Sequence, residues 1–261
     1  MRMPLSALGF AAALALCGNA TAQSLPQPDK PTIVLVHGAF AESSSWDPVI
    51  ARLGKDGYRV IAAANPLRSV ASDAVGVSAI IRSIKGPVVL VGHSYGGPVI
   101  TEAANGNANV KALVYVAGFA PDTGETSLTL SAKFPGSTLE TSLTTVVLPD
   151  GDEDLYIEPD KFHDQFAADV PAEQAAAMAA TQRPVTLSAL GEPSRVAAWK
   201  TLPSYMIYGS ADRNIPAAVM KFMAERAHAR KTVVVDGASH VVMISHPAEV
   251  ASLIEDAAKA K

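Results

Sequence analysis

The chain has 261 residues, of which 49% are hydrophobic and 18% charged, and its formal net charge is -4. That is enough apolar material for one sizeable core. The mild acidity, with no basic run and no interleaved aromatic patch, argues against nucleic acid as a partner.

The first two dozen residues differ from the rest. Arg2 supplies positive charge, Leu5 to Leu16 form an apolar run, and Ala20-Thr21-Ala22 fits a small-residue cleavage site. This pattern predicts a secretory signal peptide over residues 1–22 and a mature domain over 23–261. The run is too short to span a bilayer, so no stable membrane association is expected after cleavage. A lipoprotein signal ending at Cys17 is the competing reading, but Leu16 stands where a small residue is needed. Cys17 is the one cysteine, so the mature chain is expected to rest on packing without disulfides. Export to the periplasm or the medium fits both features.

Thr32 to His37 is a continuous apolar run, as a parallel strand covered on both faces requires. Trp46 to Leu53 has helical spacing, with Ser43 to Ser45 as N-cap candidates. Tyr58 to Ala63 predicts a second strand. Val70 to Ile84 alternates apolar pairs at three and four residues, the pattern of an amphipathic helix. Pro87 to Val91 predicts a third strand, Gly97 to Asn105 a helix, and Val110 to Val116 a fourth strand. The rhythm resumes late, with strands at 204–208 and 232–235 and helices at 216–227 and 247–258. Such alternation builds a mostly parallel sheet of about six strands with helices on both faces.

Between Gly118 and Leu202 the rhythm breaks. This stretch holds Phe119, Phe134, Phe162, Phe166, Met178 and Trp199, with an alanine-rich helix expected from Ala172 to Thr181. Val146 to Leu148 and Leu155 to Ile157 flank Pro149-Asp150-Gly151-Asp152, a turn signal that predicts a hairpin. An insertion on the carboxyl side of a parallel sheet sits over the site. Residues 119–202 are therefore read as a cap inserted after the fourth strand, the alternative being plain packing helices.

The third strand runs into Gly92-His93-Ser94-Tyr95-Gly96. A serine squeezed between strand and helix needs small neighbours, which Gly92 and Gly96 supply. Its hydroxyl then projects at the carboxyl end of the strand, with the amides of the helix N-terminus directed toward it. A serine hydroxyl is too weak an acid to attack at neutral pH without a general base. Of six histidines, His240 stands just past the last strand, at the edge where Ser94 sits. His246 reads as a capping residue, His228 as solvated and His163 as exposed in the cap, while His93 and His37 read as loop braces. Trp46 reads as a packing residue. The imidazole needs a carboxylate to fix its tautomer; Asp212, between the last two strands, and Asp236, nearer to His240 in sequence, are the candidates.

The Gly92–Gly96 stretch and its flanking elements resemble the nucleophile elbow of the α/β-hydrolase family. The resemblance runs from about Thr32 to the C-terminus with a divergent middle. With His37-Gly38-Ala39 it is similar to small esterases and their methyl-esterase and hydroxynitrile-lyase relatives. It implies a triad in the order Ser94, Asp212, His240, and an oxyanion hole from the amides of Ala39 and Tyr95. Serine at the elbow argues against dehalogenase and epoxide hydrolase chemistry, which use aspartate there. Hydroxynitrile lyases of that branch carry threonine where Gly38 stands and lysine where this chain has Val241; both departures favour hydrolysis. The implied function is an exported serine carboxylesterase for small or aryl esters, with no cofactor, no metal, and a small-molecule ester as its partner. Phe40, Phe119 and Trp199 are the expected substrate contacts. The same triad would also serve a lactonase or a cofactor-free perhydrolase (haloperoxidase). A ligand-binding receptor on the same fold is the non-enzyme alternative.

Overall fold

Residues 30–260 are described by the computed structural model; the segment read as a signal peptide, Cys17 included, lies outside them. In chain order the elements are β1 (Thr32–Val36), α1 (Asp47–Lys55), β2 (Val60–Ala63), α2 (Val70–Ser83), β3 (Val88–His93), α3 (Gly96–Ala104) and β4 (Val110–Val116). Then come α4 (Ser127–Ser131), β5 (Leu143–Val147), β6 (Glu153–Ile157), α5 (Pro159–Phe166), α6 (Ala172–Thr181), β7 (Val185–Thr186) and α7 (Leu187–Gly191). The chain closes with β8 (Ser204–Gly209), α8 (Ala217–Arg226), β9 (Lys231–Val235), α9 (Val242–Ser245) and α10 (Pro247–Lys259).

The main sheet has six strands in the order β2-β1-β3-β4-β8-β9, and every pairing is parallel. Burial follows that order. β1, β3 and β8 are buried throughout and β4 everywhere but Lys111, whereas the edge strands β2 and β9 are half-exposed. The inner strands accordingly read as apolar runs, whereas β9 opens on the exposed Lys231 and Thr232. Helices cover both faces, and the segment between β4 and β8 forms the cap, as the break in rhythm predicts.

Local departures have local causes. The helix expected from Trp46 begins at Asp47, with Pro48 in its first turn, where a missing N–H costs nothing. Ser43 to Ser45 form a short 3₁₀ turn instead of capping it. The Ser43 hydroxyl donates to the Ala63 carbonyl at 3.2 Å and that of Ser45 accepts from the Glu42 amide at 3.2 Å. The cap hairpin is real and longer than its sequence signal, with Leu143 opposite Ile157 and Val147 opposite Glu153. A third strand, β7, joins it through Val185 opposite Leu155; two residues are too few to leave a periodic signature.

The cap does not stand apart from the core. Phe162 and Phe166 of α5 rank with Trp46, Tyr95 and Tyr115 among the largest fully buried side chains. Their i, i+4 spacing places both rings on one face of the helix. Among the described residues, no helix is long and apolar enough to cross a membrane.

Candidate active site

Ser94 follows β3 with φ +52°, a conformation that costs a non-glycine residue energy and is held only by its surroundings. Those surroundings are tight. A Cβ on Gly92 would lie 2.5 Å from the Gly96 carbonyl oxygen, and one on Gly96 would lie 2.5 Å from that of Val36. The Ser94 carbonyl accepts from Gly97 N at 2.9 Å and Phe119 N at 3.2 Å. The serine is thereby fixed at the carboxyl end of the sheet, 7% exposed.

His240 and Asp212 come to the same edge from the loops after β9 and β8. His240 Nδ1 lies 2.7 Å from Asp212 Oδ2, and both side chains are fully buried. The other carboxylate oxygen accepts from the amides of Asn214 at 2.8 Å and Ile215 at 2.9 Å. A carboxylate only accepts, so the imidazole proton sits on Nδ1 and Nε2 is left as the acceptor. Nε2 is buried and, among the described residues, has no hydrogen-bond partner. Asp236, the competing acid, is exposed and accepts from the Ser210 hydroxyl at 2.9 Å. The geometry therefore pairs His240 with Asp212.

The turn after β1 lies directly against the elbow. A Cβ on Gly38 would be 2.5 Å from Ser94 Cβ and 3.1 Å from the Tyr95 amide nitrogen. The Phe40 amide is taken by the Arg183 carbonyl at 2.9 Å. Among the described residues, the amides of Ala39 and Tyr95 donate to no protein acceptor. Two free amides beside a serine are what an oxyanion needs.

Two neutral histidines brace this arrangement. His37 Nε2 accepts from Asn65 N at 3.2 Å, so Nδ1 carries the proton and donates to Gly38 O at 3.0 Å. Asn65 Nδ2 returns a bond to the His37 carbonyl at 2.8 Å. His93 Nε2 donates to the His240 carbonyl at 3.1 Å, and its ring lies 4.8 Å from that of His240. Burial pushes both pKa values below the ordinary histidine range, that of His93 far below, with His240 as a further depressing neighbour. Trp46 packs edge-on against His93 at 6.4 Å.

The expected substrate contacts separate. Phe40, with φ +60°, turns its ring edge-on to Phe166 at 6.0 Å, beside the site. Phe119 is buried, and its amide holds the elbow. Trp199 is placed elsewhere: its Nε1 donates to Pro121 O at 2.7 Å, and Arg226 stacks on its ring at 5.3 Å. The aromatic that reaches the site is Phe166 of the cap, 5.2 Å from the His240 ring and 6.3 Å from His93. Its i, i+4 pairing with Phe162 is the only signal that marked it in the sequence. A cavity of about 230 Å³ opens beside Phe40, lined also by Met178, Gln182 and Ile244. His163, expected to be exposed, is half-buried, with Nε2 donating to Val170 O at 2.8 Å. Among the described residues, no cluster of three or more His, Cys, Asp or Glu could hold a metal ion.

The chain resembles known proteins along its length. The α/β hydrolase family model matches residues 33–253. The α/β hydrolase nvfD of Aspergillus novofumigatus is 28% identical over 253 residues, covering 88% of this chain and 97% of that protein. A carbendazim-hydrolysing esterase of Nocardioides sp. is 34% identical over 113 residues, 38% of this chain and 47% of its own. The crystal structure of polyneuridine aldehyde esterase superposes with a TM-score of 0.76 at 20% identity, covering 87% of this chain and 98% of that one. The chain belongs to the α/β-hydrolase family and is an enzyme with the serine-hydrolase chemistry of that fold.

Proposed function

We propose that the protein is an exported carboxylesterase for small or aryl esters, with Ser94, His240 and Asp212 as its triad. Ser94 Oγ attacks the ester carbonyl while His240 Nε2 takes its proton. Asp212 holds the imidazole in the required tautomer and stabilises its charged form. The amides of Ala39 and Tyr95 receive the developing oxyanion. His240 returns the proton to the departing alcohol, and water, activated by the same nitrogen, then cleaves the acyl-enzyme.

The observation that carries this reading is the 2.7 Å bond between His240 Nδ1 and Asp212, which leaves Nε2 as a buried acceptor with no partner among the described residues. Glycine at 38 and valine at 241 support hydrolysis over cyanohydrin cleavage. The aromatic surround of Phe40, Phe162 and Phe166 supports a small or aromatic acyl group. Hydrolysis of p-nitrophenyl esters from acetate to palmitate, by the wild type and by Ser94→Ala, tests the proposal. Activity on the short esters with a loss of about 10⁴-fold or more in the variant is expected; a variant as active as wild type overturns the triad. Export rests on residues 1–22, and the intact mass of material recovered from outside the cytoplasm, expected to begin at Gln23, tests it.

A further inference from the structure

We propose that Gln165, a cap residue, is a positioning residue for the acid of the triad. The inference rests on the triad reading above. Gln165 is 5% exposed and its amide is engaged at both ends. Nε2 donates to Arg213 O at 3.0 Å and to Asn214 Oδ1 at 2.7 Å. Oε1 accepts from the Thr138 hydroxyl at 2.7 Å, and the Ser142 hydroxyl reaches it at 3.2 Å while also reaching Thr138 O. The amide cannot be turned round, because Arg213 O accepts only and must face an N–H. Arg213 and Asn214 are the two residues directly after Asp212, and the Asn214 amide is one of the two that hold the Asp212 carboxylate.

The rest of the contact has the same sense. Thr138 N donates to Arg213 O at 3.1 Å and the Ser137 hydroxyl to Asn214 O at 2.9 Å. From the loop side, Arg213 Nη1 donates to Asp164 O at 3.2 Å. The acid loop is thus held from outside by two cap segments, and Gln165 joins them. The next residue along α5 is Phe166, whose ring covers His240. One helix of the cap therefore steadies both the acid, through Gln165, and the base, through Phe166. Glutamine is suited to this place because the site asks for two donors and an acceptor in one buried side chain. Glutamate would present a carboxylate to Arg213 O, and asparagine is one methylene short.

Gln165→Met keeps the volume and removes every polar contact of the side chain. It is expected to lower kcat about tenfold to a hundredfold, as misplacement of an acid–base pair does, while KM stays within about threefold. The readout that packing alone would not move is the proton NMR resonance of His240 Nδ1–H, whose position reports its bond to Asp212. That resonance is expected to shift in the variant, and it is readable whether or not a substrate has been found. Asn214→Ala removes only the Oδ1 contact and is expected to act in the same direction, more weakly; in its background, Gln165→Met should cost less than in the wild type. A folded Gln165→Met with wild-type kcat and an unmoved resonance overturns the proposal. If Gln165→Met fails to fold, the same two readouts on Asn214→Ala decide. A wild type inert toward esters that still shows the resonance shift counts against the esterase reading and for the role of Gln165.

Discussion

The ring of Phe166 lies 5.2 Å from that of His240, their planes inclined at 58°. A cap side chain thus walls the His240 imidazole, and with Phe162 at 5.0 Å and Phe40 at 6.0 Å it forms an aromatic surface there. Phe166→Ala should therefore do two things at once. It should cost about 3–5 kcal/mol of stability, the usual loss for emptying a buried phenylalanine site. It should also raise the kcat/KM ratio of bulky aryl esters to acetate. Melting curves and a substrate series read the two effects separately, and a ratio that does not change would remove Phe166 from the pocket.

Gly38 tests the proposed oxyanion turn where side-chain substitution cannot reach the backbone amides. Gly38→Ala puts a methyl group 2.5 Å from Ser94 Cβ and 2.7 Å from His93 O. The turn must retreat, carrying the Ala39 amide with it. A fall in kcat of about 10²-fold with KM little changed is expected, as for loss of an oxyanion donor.

Tyr95 joins an amide of the proposed oxyanion hole to a structural side chain. Its hydroxyl donates to the buried carboxylate of Asp73 at 3.1 Å. Burial raises the Asp73 pKa, and the Tyr95 bond works against that rise. Tyr95→Phe should cost about 1–3 kcal/mol by leaving a buried acceptor short of a donor. The amide remains in place, so kcat should stay within about threefold of wild type. Denaturant titration beside steady-state kinetics checks the separation.

Acid should weaken the fold through His37 and His93. Both pKa values are depressed in the folded protein, chiefly by burial, so the unfolded chain takes up protons first. Their contribution is complete above about pH 6.5. As pH falls below that it declines by about 1.4 kcal/mol per unit for each histidine, until the folded-state pKa is reached. Asp73, whose folded pKa is raised, acts in the opposite sense: its contribution is present in acid and lost as pH rises. With two histidines against one aspartate, the melting temperature should drop between about pH 7 and pH 5. A flat profile there would mean that neither histidine is held neutral.

Trp199→Phe removes the bond to Pro121 O while leaving the aromatic stack on Arg226. A cost of about 0.5–1.5 kcal/mol with unchanged kcat/KM is expected. A selective change in KM would restore Trp199 to the substrate pocket.

The parallel sheet, the elbow at Ser94 and the place of the cap are all legible in the chain. These are written locally, in the period of apolar residues, in the turn chemistry of Gly92 and Gly96, and in the loss of rhythm after Gly118. Edges were less legible: β7 is too short to have a period, and the start of α1 was set by Pro48 rather than by a serine cap. The family resemblance named Asp212 as the acid, but local pattern alone could not separate it from Asp236, which is nearer in sequence; the fold is what sets Asp212 against His240. It also decided that Phe166, not Trp199, meets the imidazole, and that Gln165 reaches the acid loop. Periodicity fixes which face a side chain takes on its own element. What that face meets depends on how the loops between elements carry the chain, and no local pattern records that path.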